Sequence, residues 1–331
     1  MAYRTGVFLR GVAAALFVFG ATMDANAEEI TLKAVSSFPR THENTLGFLK
    51  FVDDVNKVGK GIVHIDFIGG PEVAPPQQQP VALRNGLFDM IYGPSAYYLG
   101  LFPEGDFTSG FKTPMEARKL GGYALVDKAM RAKLGATFLA RFDSGLGLYL
   151  EFEKKPTIRP NGLPDLSGMK MRSSPAYRDF VKELGATPVV MPITEMYTAL
   201  QRGTVVGVGG DLDSSVEMGL TRFLKYRIEP PFDMAGILVI ANAQKWDNLP
   251  PKARDLLHAE LLKYEKITMD DIAARDRKVK AELDKAGQQT IVLKGEQAKN
   301  YVDAFMKTPW GRMKSNPDIH IDVDQLKKDW Y

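Results

Sequence analysis

The chain has 331 residues, 45 % apolar and 25 % charged, with a formal net charge of +3 and no cysteine. That length and apolar content suffice for two packed cores, which excludes a disordered chain, and the near-balanced charge without a basic run excludes nucleic acid and anionic lipid as partners. The lack of cysteine excludes disulfide staples, thiol catalysis and thiolate metal sites.

Residues 1–27 read as a secretory leader: Arg4 and Arg10 lie at the start, Gly11 to Ala21 is apolar, and Ala25-Asn26-Ala27 supplies small residues for cleavage. The apolar run is too short to span a bilayer, which takes roughly 20 residues. Removing the leader takes the charge from +3 to +2, and the mature chain is expected to be soluble and periplasmic, not membrane-embedded. From Ile30 the chain alternates short β-rich runs with amphipathic stretches, the pattern of an α/β fold with crossover helices. Strands are predicted at Ile30 to Ser36 and Val63 to Phe67, around a helix His42 to Val58 whose Phe48, Phe51, Val52 and Val55 face the core. A helix Gln77 to Asn85 and a strand Met90 to Tyr92 complete a βαβαβ opening, and Met115 to Leu134 reads as a surface helix weakened by Gly121 and Gly122. A second unit has strands at Leu146 to Phe152, Lys170 to Arg172, Thr187 to Val190 and Val205 to Val208. Its helices are Tyr177 to Leu184 and Glu195 to Gln201, the latter capped by Thr194. After a strand Ile237 to Ala241, Lys252 to Lys285 runs without Gly or Pro and keeps no sustained heptad, so it predicts one long helix bracing both lobes and not a coiled coil.

The most informative stretch is Asp165-Leu-Ser-Gly-Met-Lys-Met-Arg-Ser-Ser174, followed by Leu184-Gly-Ala-Thr-Pro188 and Glu195-Met-Tyr-Thr-Ala-Leu-Gln-Arg-Gly203. With Gly69-Gly-Pro-Glu72 and Arg84-Asn-Gly-Leu-Phe-Asp-Met90, it resembles the extracytoplasmic solute-binding subunits of tripartite ATP-independent periplasmic (TRAP) transporters, the DctP family, over Ile30 to Trp246. The resemblance implies a two-lobed periplasmic binding protein fold, with lobes formed by 28–145 and 238–270 and by 146–237 and 271–331. It implies a small organic acid as ligand and integral membrane transporter subunits as partners. It also implies that Arg172 holds the ligand's carboxylate, which suits a permanently charged, planar fork of donors. A second Arg that many members carry is replaced here by the stretch Gly145-Leu-Gly-Leu148-Tyr149. Together with Ile193 and Thr194 before the Glu195 helix, this favours a monocarboxylate with an apolar or aromatic body.

Further candidates come from position and residue type. Tyr97 and Tyr149, with Tyr98 behind them, offer a flat face and a hydroxyl to wall such a body, or serve the core. Glu72 follows a turn at a strand end, where open α/β sheets place ligands, and Ser37 and Phe38 hold the equivalent place across the cleft. The resemblance puts another contact near Gly209, Gly210 or Asp211, of which Asp211 is the candidate. Asp211 and Asp213 are too few for a metal and read otherwise as a solvated loop. His42, His64, His258 and His320 show no ligand spacing, and Gly207-Val-Gly-Gly210 lacks the rest of a phosphate loop, so neither metal nor cofactor is expected. Two other classes compete: a secreted α/β enzyme, for which no nucleophile elbow is present, and the binding protein of an ATP-driven transporter, which shares the plan but not the Arg172 motif.

Overall fold

The computed structural model describes residues 1–3, 29–108 and 112–330; nearly all of the expected leader lies outside the described residues. The first lobe opens with β1 (Ile30–Ser36), α1 (Glu43–Val58), β2 (Val63–Gly69), α2 (Gln79–Arg84) and β3 (Met90–Gly93). Strands β2, β1 and β3 run parallel, and Phe48, Phe51, Val52 and Val55 of α1 are buried against them. The surface helix is two helices, α3 (Pro114–Leu120) and α4 (Gly122–Leu134), because Gly121 takes a left-handed φ of 101° that caps one and starts the other.

The chain then enters β4 (Ala136–Phe152), a strand of 17 residues that the sequence pattern shows only from Leu146 onward. Its middle bends at Asp143 and Gly145, whose φ of 48° and 99° are left-handed. An aspartate tolerates that region better than most side chains, and this one is held there: Tyr92 Oη donates to it at 2.5 Å, Arg275 donates to it at 2.9 Å, and its own amide donates to Thr268 Oγ1 at 3.0 Å. Before the bend β4 belongs to the first lobe; after it, the strand pairs with the second.

The second lobe contains the short pair β5 (Thr157–Ile158) and β6 (Pro164–Asp165), then β7 (Lys170–Ser173), α5 (Arg178–Glu183), β8 (Thr187–Val190), α6 (Met196–Gln201), β9 (Gly207–Gly210) and α7 (Leu212–Glu217). Thr194 does not cap α6; a 3-10 turn at Ile193–Glu195 precedes it, and Glu195 is its first flanking residue. Two strands, β10 (Tyr226–Glu229) and β11 (Asp233–Asn242), lead back, and α8 (Ala243–Asp247) precedes α9 (Pro251–Lys285). The chain ends with β12 (Gln289–Val292), α10 (Glu296–Ser315) and α11 (Val323–Trp330).

Among the described residues one ten-stranded sheet runs through both lobes in the order β2-β1-β3-β11-β4-β9-β7-β8, with β10 joining β4 and carrying β12. At 35 residues α9 is about 50 Å long at 1.5 Å per residue. It braces both lobes as its unbroken sequence predicts: Tyr264 Oη donates to Lys50 O on α1, while Asp276 accepts from Tyr149 Oη on the far half of β4. At the C-terminus α11 packs against α3 and α4 and seats Trp330 between Tyr123 and Phe107.

Candidate functional site

The parallel strands of each lobe end toward the same crevice, so the loops after them face one another there. From the first lobe come Phe38, after β1, and Pro94, Ala96 and Tyr97, after β3. From the second come Arg172 at the end of β7, Ser174 and Tyr177 beyond it, Ile193, and Gly210 and Asp211 at the end of β9. The floor is the crossing pair of strands, Leu146 and Leu148 of β4 with Asp233, Ala235, Gly236 and Ile237 of β11. The cavity between them is small, about 70 Å³, and its walls are mostly apolar.

Arg172 is 2 % exposed. Parallel pairing of β7 with β8 and β9 puts it opposite Val189 and Val208, and from there its guanidinium reaches the crevice. Nε and Nη2 both donate to Met191 O, at 3.0 and 2.9 Å, and Nη1 donates to Gly209 O and Tyr177 Oη, each at 2.6 Å. These acceptors are neutral. Among the described residues no carboxylate forms an ion pair with Arg172, although Asp211 and Asp233 line the same cavity, and four of its five N–H groups fix its direction. Burying an unpaired cation is costly, and an anion arriving beside it recovers that cost.

Two tyrosines frame the guanidinium. Tyr177 donates to Gly209 O at 2.5 Å, and Tyr97 accepts from the amide of Ile193 at 3.4 Å, a contact between lobes. Burial holds both phenols above their ordinary pKa, so both are neutral donors and acceptors at physiological pH. Sequence reasoning does not single out Tyr177, Ser174 or Asp233 as lining residues. The available signal for Tyr177 is Pro175, which starts the 3-10 turn Pro175–Tyr177 that folds the ring back onto Arg172.

The structure brings together four of the residues predicted for the site, Arg172, Phe38, Tyr97 and Asp211, and separates the other three. Tyr149 lies on the opposite face of β4 from Leu146 and Leu148, as strand alternation requires, and donates to Asp276 Oδ1 at 2.7 Å beneath α9. Ser37 turns away to donate to Gln79 Oε1 at 2.6 Å, fixing the loop after β1. Glu72 is exposed and folds back on its own turn, accepting from the amide of Gly70 at 2.7 Å. Nor do Asp211 and Asp213 form a solvated loop. Asp211 is buried and caps α7, accepting from the amide and hydroxyl of Ser214, while Asp213 pairs with Arg275 at 2.8 Å.

Comparison with known proteins bears on the family and the fold. The family model for bacterial extracellular solute-binding proteins, family 7 (DctP), matches residues 35–313. The C4-dicarboxylate-binding periplasmic protein DctP of Rhodobacter capsulatus is 28 % identical over 244 residues, covering 70 % of this chain and 71 % of that one. Among solved structures, DctP7 of Bordetella pertussis, an extracytoplasmic solute receptor binding pyroglutamic acid, superposes with a TM-score of 0.77 at 18 % identity, over 90 % of this chain and 98 % of that one. A TRAP periplasmic solute-binding protein from Rhodoferax ferrireducens with bound malonate gives 0.75 at 21 % identity, over 90 % and 95 %. The chain belongs to family 7 of the bacterial extracellular solute-binding proteins, the DctP family of TRAP transporter receptors.

Proposed function

We propose that this receptor captures a small monocarboxylate with an apolar or aromatic body in the periplasm, closes its lobes around it, and delivers it to integral membrane TRAP subunits. One observation carries the reading: Arg172 is a buried guanidinium at a crevice wall whose protein partners are all uncharged. The ligand's carboxylate supplies the missing charge, and Tyr177 Oη yields its place on Nη1 so that two N–H groups face the two oxygens. Phe38, Tyr97 and the two leucines of β4 receive the apolar body. A second carboxylate would meet Asp211 and Asp233, which stand on the same walls, and this favours a monoanion over a dicarboxylate. The lobes are divided at the bend of β4, with α11 assigned to the first lobe. No helix of the described residues is long and apolar enough to cross a membrane, which fits a receptor that hands its ligand to separate membrane subunits.

The deciding experiment is a thermal-shift screen of pyroglutamate, 2-oxo acids, aromatic monocarboxylates and malonate, followed by calorimetry on any hit. Ligand binding to the native state raises the melting temperature by mass action. Monocarboxylates are expected to stabilise more than malonate, and Arg172→Met is expected to weaken binding by about 100-fold or more, the worth of a pair of charge-assisted hydrogen bonds. A larger shift with malonate removes the monoanion preference. Unchanged affinity in Arg172→Met removes the carboxylate pair.

A further inference from the structure

Beside the crevice lies a cluster of charged and polar side chains that acid binding leaves unused. It joins four elements: the first turn of α1 in the first lobe, the bend of β4, α7 in the second lobe, and the middle of α9. Arg275 of α9 donates from Nη1 to Asp143 Oδ1 at 2.9 Å, and from Nη2 to Asn44 Oδ1 at 2.5 Å and Asp213 Oδ2 at 2.8 Å. One guanidinium therefore holds the α1 turn, the bend of β4 and α7 at once.

His42, the N-cap of α1, adds a second tie. Its Nδ1 accepts from the amide of Asn44 at 3.2 Å, which leaves the proton on Nε2, and Nε2 donates to Ser214 Oγ at 3.1 Å. Ser214 Oγ in turn donates to Asp211 at 3.0 Å. A third tie runs from the amide of Glu43 to Glu217 Oε1 at 2.8 Å. The cluster touches the crevice on both sides: Asp211 lines it from the second lobe, and His42 stacks at 4.8 Å on Phe38, which lines it from the first. The Arg275 and Asp213 side chains are 16 % and 14 % exposed, so this pair is partly withdrawn from water, whereas Glu217 stands at the exposed rim of the seam.

We propose that this seam is the latch of the receptor, in which Arg275 and His42 grip Asp213 and Ser214 of α7 to hold the lobes shut and set how long a ligand stays. The proposal rests on the reading that the lobes close around a ligand. Three of the ties link α7 to other elements, Arg275 to Asp213, His42 to Ser214 and the Glu43 amide to Glu217, and with Arg275 also held by Asn44 and Asp143 these bridges between α1 and α7 break when α7 moves away from α1. A device of this kind changes affinity through the population of the closed form without touching the ligand.

The protein has no cysteine, so a pair of introduced thiols reports closure, and the loss of the Glu217 tie that the pair entails is common to every background compared. Glu43→Cys and Glu217→Cys are placed together in the full chain and treated with a short bifunctional thiol reagent, with no ligand added, and the rate of intramolecular cross-linking is followed by mass. Arg275→Met is expected to slow trapping about tenfold, the effect of losing one charge-assisted tie between lobes. Asp213→Asn, which leaves the Arg275–Asp143 pair in place, is expected to slow it in the same direction and serves if Arg275→Met does not fold. Equal rates in all backgrounds overturn the latch, as does a pair that never cross-links although each thiol reacts alone. Pyroglutamate and malonate are then added to the same pair, with and without Arg172→Met. Acids that fail to speed trapping while the Arg275 effect persists count against the carboxylate reading and leave the latch standing.

Discussion

Glu151 shows how burial sets the behaviour of a single residue. It is fully buried in the second half of β4, accepts from the Ser215 hydroxyl and from Gln288 Nε2, and faces Arg227 across the strand pair. Desolvation outweighs these partners and pushes its carboxyl from 4.5 up to about 7. The folded state therefore keeps a proton that the unfolded chain releases between those values. Its contribution to stability is full below about 4.5 and is lost as pH rises through about 7, a swing of about 3 kcal/mol. Glu151→Gln is expected to be more stable than the parent at pH 8 and to lose that advantage at pH 5, measured by denaturant unfolding at both. A difference that does not change with pH refutes this account. At this scale the place of Arg172 on the crevice wall was legible from its flanking motif. Tyr149 was not, because its side depends on which face of β4 looks into the crevice, and Leu146 and Leu148 decide that only once the sheet is assembled.

Elements were legible where one physical pattern ran without interruption. The α9 helix shows as a long stretch free of Gly and Pro, and α1 shows as apolar residues three and four apart. Strand β4 was half hidden because Asp143, Ser144 and Gly145 interrupt its apolar pattern, although they are the bend of one continuous strand. Helix α10 carries Pro309 and Gly311 in its later turns and owes its place to packing against α5 and the 3-10 turn at Pro175–Tyr177. Glycine in β9 has a steric task. A Cβ at Gly207 would lie 2.6 Å from Glu151 O and 2.7 Å from Met171 Sδ, so it would push the strands apart. Gly207→Ala is expected to cost about 1–3 kcal/mol, the usual price of overpacking, in an equilibrium denaturation measurement. A change below about 0.5 kcal/mol, the range of ordinary surface substitutions, sinks that explanation.

For the molecule as a whole, the two-lobed plan followed from the alternation of strands and helices together with the motif around Arg172. The seam did not, since it gathers positions 42, 143, 213 and 275 from four separate elements, and no local spacing announces such a meeting. The shared strands have a thermodynamic corollary. Through β4 and β11 the hydrogen-bond ladder of one half continues into that of the other, so neither half can melt without stripping partners from its neighbour. Scanning calorimetry should accordingly record a single endotherm whose van't Hoff and calorimetric enthalpies agree, as for a lone cooperative unit, and two resolved peaks would mean that the halves are energetically independent.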